Sequence, residues 1–329
     1  MFKRWRPTFL CRRDEVLKSL NIVHPCIAQI LNLWHQYFSN VRFVDVQQFQ
    51  NHPGAIELGL FSEMAESHIL ATVQFLKGHW FPTIQAIFLK GMDKNLIKVR
   101  KKTRSFRRFY NCVAAIMTFL LQTLCLKSLA DYMDFIRNLE TMKAGFLINL
   151  VYKNKIISFE PTFSRFQDAL RVVIDGIIKG VSSIPRLEYK LRYGVDDNEE
   201  VPLLKPIILP ETIKASHNEV VQVSEEIRIG PELRVQDFDP YIGLINGQVH
   251  TEVDEFLETV PGFEECANYV LHFDELRKQI PCDVAHVVRI GAYDMDRENL
   301  IQALVSHAES FRQTILNYMT KEYQKKCKT

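Results

Sequence analysis

The chain has 329 residues, 47% of them hydrophobic and 24% charged, which excludes wholesale disorder and predicts two or three folding units. Only 13 Gly and 13 Pro argue for a helix-rich protein over a turn-rich sandwich. Charge is polarised: residues 1–130 carry 18 Lys plus Arg against 7 Asp plus Glu, and residues 131–329 carry 23 against 32, so the two ends offer partners opposite fields.

In chain order, Met1–Arg13 is basic but has no apolar stretch long enough for a secretory signal. With no export signal, the 7 Cys are expected as free thiols in a reducing compartment. Asp14–Leu20 leads into Ile22–Phe38, whose apolar residues recur at helical spacing. Asn51-His52-Pro53-Gly54 predicts a turn. Ser62–Lys77 and Trp80–Leu89 predict two helices separated at Gly78.

Lys98–Arg108 is the strongest local feature, with seven basic residues in eleven positions. It enters an amphipathic helix over about Ser105–Leu139, roughly 50 Å long at 1.5 Å per residue. The apolar run Val113–Leu126 would reach about 21 Å as a helix against roughly 30 Å of hydrocarbon, so it reads as a core helix, with no membrane partner. Lys101, Lys102, Arg104, Arg107 and Arg108 are the candidate partner-binding residues. Interleaved with Phe106, Phe109 and Tyr110, the run reads first as a solvated helix entry, then as a dock for an acidic protein, and last as a nucleic-acid or lipid contact.

Phe146–Phe159 predicts a β-hairpin, which alone is marginal and needs helices or a third strand. Leu203–Leu209 is the expected third strand, confined to an edge by Pro206. Phe163–Gly180 predicts a helix, and Arg192–Pro202 an acidic solvated loop. Helices follow over Glu211–Ile227, about Pro231–Leu257 and Phe263–Gln279, with Pro231, Pro261 and Pro281 each expected near a helix start. A last helix begins after Asp294 or Asp296, either of which can cap it. The expected architecture is mainly α: elongated helical bundles with a small β-hairpin insertion near 146–160. Its three expected parts are a basic helical bundle at 1–140, hairpin, helix and acidic loop at 141–210, and a C-terminal bundle at 211–329.

The sequence holds no glycine-rich phosphate loop followed by Lys and a hydroxyl residue, no dinucleotide fingerprint, no nucleophile elbow and no His-Glu-x-x-His. Asp294-Met295-Asp296-Arg297-Glu298 alternates carboxylates like the start of a calcium loop, but Asn299 and Val305 stand where that loop needs Gly and Glu. Cys282 and His286 have ligand spacing without a second pair. The expectation is therefore no cofactor, no metal and no enzyme.

Phe109–Met117 (aromatic-Asn-Cys-Val-Ala) and Leu124–Tyr132 (Leu-x-Leu-x-Ser-Leu-x-Asp-aromatic) resemble a stretch in the tail of axonemal dynein heavy chains. Lys155–Pro161, Ile184–Glu188, Leu204–Leu209 and Ile290–Met295 resemble further elements of that family, in the same order. The likeness covers nearly the whole chain, most firmly about 40–310, and is nearest the single-headed inner-arm class. It implies a stack of helical bundles with a small β element, located in the cytoplasm, cytoskeleton and ciliary axoneme. The implied partners are dynein light chains, actin or centrin, and axonemal docking proteins, with microtubules met indirectly. The family's heavy chains are ATP-driven motors, so the resemblance implies a tail segment without the motor ring, acting in complex assembly and docking. The alternative is a helical nucleic-acid-binding or unrelated scaffold protein using residues 98–108.

Overall fold

A computed structural model describes residues 27–90, 104–187, 201, 203–206 and 208–328. The expected helix at Asp14–Leu20, Lys101 and Lys102 of the basic run, and most of the acidic loop Arg192–Pro202 lie outside the described residues. The described residues are mostly helical with one small sheet. It divides into two compact units: Met1–Val46, Glu63–Asp134 and Val172–His217 form the first, and Gln47–Ser62, Phe135–Arg171 and Asn218–Thr329 the second.

Among its described residues the first unit is built of helices, with no strand. Helix α1 (27–38) ends in a wide π turn at Trp34–Phe38, and α2 (Val46–Gln50), where the chain leaves the unit, is short. Helix α3 (Leu58–Phe75) was expected to stop before Gly78. Instead the chain widens into a π turn, Leu76–Trp80, and continues as α4 (Phe81–Lys90). The widened turn keeps Leu76 and Trp80 buried on one face, and Trp80 packs on Trp34 with ring centroids 5.0 Å apart. Helix α5 (Arg104–Arg137) spans the expected amphipathic segment and buries Val113, Met117, Leu120, Leu121 and Leu124. Tyr110–Arg137 is long and apolar enough to cross a membrane, yet half of its most apolar stretch is buried inside the protein, as in a core helix. Helix α6 (Phe163–Val181) approaches α3 closely at Gly176 and Gly180, where an added Cβ would stand 3.1 Å from Ile69 Cδ1 and Val73 Cγ2 respectively.

The second unit carries the sheet. Strands β1 (Phe146–Lys153) and β2 (Ile156–Glu160) form the expected antiparallel hairpin, turning through Asn154 and Lys155 at φ of 54° and 65°. The third strand is not Leu203–Leu209, whose described residues make one isolated bridge, Leu203 to Pro185. Instead β3 (Val287–Ile290) and β4 (Tyr293–Asp296) form a second hairpin, and β4 pairs with β1 in parallel, giving the order β2-β1-β4-β3. The prolines flanking Leu203–Leu204, at 202 and 206, cannot donate to a ladder, whereas β4 has an unbroken row of donors.

Helix α7 (Pro210–Arg234) runs through Pro231, which was expected to start a helix. Beyond it the chain tightens into a 3₁₀ segment, Val235–Tyr241, followed by α8 (Gly243–Asn246). Gly247, at φ 97°, separates α8 from α9 (Gln248–Glu258), so the single expected helix Pro231–Leu257 is divided among the end of α7, the 3₁₀ segment, α8 and α9. Helix α10 (Phe263–Asp283) starts at a cap in which the Gly262 N–H donates to Glu265 Oε2 across 2.8 Å; Pro261 sits just before it, while Pro281 falls in its last turn. Helix α11 (Glu298–Lys328) buries Leu300, Ile301, Leu304, Ala308, Phe311 and Ile315 at three-to-four spacing against α10. Arg277 of α10 ties the pair, donating to Glu309 at 2.8 Å.

Candidate interaction surfaces

Of the basic run, Arg104, Arg107 and Arg108 occupy the first two turns of α5, and their side chains lie outside the described set. No acidic residue stands in that first turn. Cations at a helix start oppose the macrodipole at roughly 0.3–1 kcal/mol each, so this placement does not serve the helix itself.

One turn on, the structure brings together segments far apart in sequence. Nη2 of Arg186 donates to Oδ1 of Asn111 across 2.9 Å. The Leu204 N–H donates to the Ile184 carbonyl at 2.8 Å, beside the Pro185–Leu203 bridge. Ala114, Ala115 and Thr118 of α5 complete an open cleft of about 490 Å³ over this junction. Two turns further along α5, Ser128 Oγ accepts the Phe43 N–H at 3.1 Å, and Asp131 accepts from Arg42 Nε at 2.5 Å. Thr72 Oγ1 donates to the Arg42 carbonyl at 3.0 Å, and Tyr132 is fully buried.

In the second unit, Asp294 Oδ2 accepts the Gly145 N–H at 2.6 Å, and its other oxygen meets Arg289 at 3.2 Å. Asp296 Oδ1 accepts the Glu298 N–H at 2.8 Å and is thus the cap of α11, leaving Asp294 to the sheet. The alternating carboxylates of 294–298 therefore have structural partners. Cys282 is exposed, and His286 is bonded to Glu298. Among the described residues no group of three or more His, Cys, Asp or Glu is placed to hold a metal ion.

An open groove of about 820 Å³ in the second unit is lined by Glu57, Asn149, Glu160, Thr162 and Arg165. Glu160 is bridged by Lys153 at 2.7 Å. The large pKa shifts lie elsewhere, in packed residues. Burial pushes the Cys125 thiol up to about 12 and raises the Tyr132 and Tyr293 phenols. The Tyr241 hydroxyl donates to Asp283 Oδ2 at 2.5 Å, and that bond, with burial, raises its pKa to about 12.

A second apolar groove, about 470 Å³, lies between the 3₁₀ segment, α9 and α10. Sequence reading missed it because its lining is drawn from ordinary helix residues of four elements, α8 included. A signal was present: from 235 to 276 there is no Lys or Arg, against ten Asp plus Glu.

No protein-family profile matches the chain. Its homologues are axonemal dynein heavy chains. It is 22% identical over 334 aligned residues to dynein axonemal heavy chain 12 of Rattus norvegicus, an alignment covering 98% of this chain and 10% of that protein. It is 24% identical over 203 residues to dynein axonemal heavy chain 3 of Homo sapiens, covering 56% and 5%. It is 28% identical over 92 residues to dynein axonemal heavy chain 8 of Mus musculus, covering 28% and 2%. The chain thus spans about a tenth of the length of the relatives that match it end to end.

Proposed function

We propose that the chain acts as a non-catalytic tail segment of axonemal dynein type, of the single-headed inner-arm class, in assembling the dynein complex and docking it on ciliary or flagellar microtubules. The observation that carries this reading is the alignment along 98% of the chain with a dynein heavy chain. The residues that carry the resemblance support it further. Asn111 with Arg186, Ser128 and Asp131 with the 42–43 segment, and Asp294 with Gly145 each join segments far apart in sequence, as a scaffold requires. On this reading its work is done by surfaces. Lys101, Lys102, Arg104, Arg107 and Arg108 serve an acidic partner, with charge setting encounter rate and register more than affinity. The partners are dynein light chains, actin or centrin, and docking proteins of the doublet.

Tagged chain expressed in multiciliated cells tests the reading. It is expected in the axonemal fraction, co-purifying with dynein light chains and released by high salt. Replacing the five basic residues with Glu should reduce that capture several-fold at low salt. A chain that stays in the soluble fraction without any dynein subunit, or that hydrolyses ATP when purified alone, would contradict the proposal.

A further inference from the structure

The groove beside α10 has a floor of Leu244, Val253, Tyr269, Phe273 and Leu276. Phe273 and Val253 are buried there, and Tyr269 is held by a stack on Phe256 with centroids 4.2 Å apart. Its rim is acidic. Glu252 forms part of the wall, exposed Asp239 precedes Pro240 of the wall, and Glu265 lies on the same face of α10 one turn before Tyr269. On the same two helices Asp254, Glu255, Glu258, Glu264 and Glu275 are exposed, and the sequence has no Lys or Arg between Arg234 and Arg277. An apolar floor flanked by exposed carboxylates favours a ligand that is apolar on one side and cationic on the other. The carboxylates are spread over α9 and α10, the latter about 30 Å long, which a small cation cannot span.

We propose that this groove docks an amphipathic helix of a partner protein, with Leu- or Phe-type side chains on the floor and Lys or Arg at the rim. The site stands apart from the axonemal role above, since it concerns a different surface and a test in purified solution, so either can fail alone.

A fluorescent 18-residue peptide of Leu and Lys, with Leu at helical spacing, is titrated against the full chain by anisotropy. Micromolar binding is expected. It should weaken at least tenfold between 50 and 300 mM NaCl as screening sets in, and at least tenfold for a scrambled peptide of the same composition. The double variant Asp239→Lys with Glu252→Lys, at two exposed positions, should lose a further tenfold with circular dichroism unchanged. Equal binding of the scrambled peptide means charge alone and overturns the groove. So does an unaffected double variant, or no binding at 100 µM. Self-association of the chain that the peptide competes away makes a second copy the occupant and overturns a separate partner.

Discussion

A Cβ on Gly145 would stand 2.6 Å from the Asp294 nitrogen and 2.7 Å from the Tyr293 carbonyl carbon, both backbone atoms that cannot swing aside. Gly145→Ala is therefore expected to destabilise the second unit by about 1–3 kcal/mol, the usual cost of overpacking, read as a lower urea midpoint. Ser128→Ala removes the acceptor of the buried Phe43 N–H and should cost about 1–3 kcal/mol in the same assay. Asp131→Ala should cost less than about 1 kcal/mol, because its ion pair with Arg42 is half open to solvent. The hairpin turn offers a change of opposite sign. Lys155 sits at φ 65°, a region that disfavours side chains by about 1 kcal/mol, so Lys155→Gly should raise stability by up to that amount. Of these, only the existence of the hairpin was legible in the sequence; the roles of Gly145, Ser128 and Asp131 depend on which distant segment arrives at the residue.

At the level of elements, periodicity revealed what is local. The long helix α5, the hairpin β1–β2, and α6 and α11 stand within a few residues of their expected limits, because burial on one face is written into three-to-four or alternating spacing. Punctuation misled at Gly78 and Pro231. Both are tolerated inside helices here, one within a π turn and one just before a 3₁₀ tightening. A Cβ at Gly78 would meet open space, so Gly78→Ala should stabilise by roughly 0.5–1 kcal/mol through reduced freedom of the unfolded chain, seen as a raised thermal midpoint. The parallel partner of β1 was not legible either. Residues 293–296 read as a cap or a truncated calcium loop, and nothing in their local pattern names a strand some 147 residues earlier.

Across the whole molecule, alkaline pH should be a weak point. Folded Tyr241, Tyr132, Tyr293 and Cys125 all hold their protons more tightly than their ordinary values. The folded state therefore binds more protons than the unfolded one at high pH, and stability falls as pH rises. The stabilisation is intact below about pH 9, the ordinary thiol value, and is lost for Cys125 and Tyr241 as pH climbs to about 12. Urea midpoints measured from pH 8 to 11.5 should fall along that range, and Tyr241→Phe should make the fall shallower above pH 10. The polarised charge was plain from composition, and so was the basic run. The groove beside α10 was not, because an acidic stretch becomes a rim only once three helices enclose an apolar floor.

The parallel pairing of β1 with β4 also sets a timetable for biosynthesis. A ribosome adds roughly 5–20 residues per second. The nascent hairpin β1–β2 thus emerges on the order of ten seconds before Tyr293–Asp296 exists to close its open side. During that interval Phe146, Ile148 and Leu150, all destined for burial, have no finished sheet to enter. A holdase chaperone engaging this stretch co-translationally would be its natural guardian, and release should coincide with the arrival of the second hairpin.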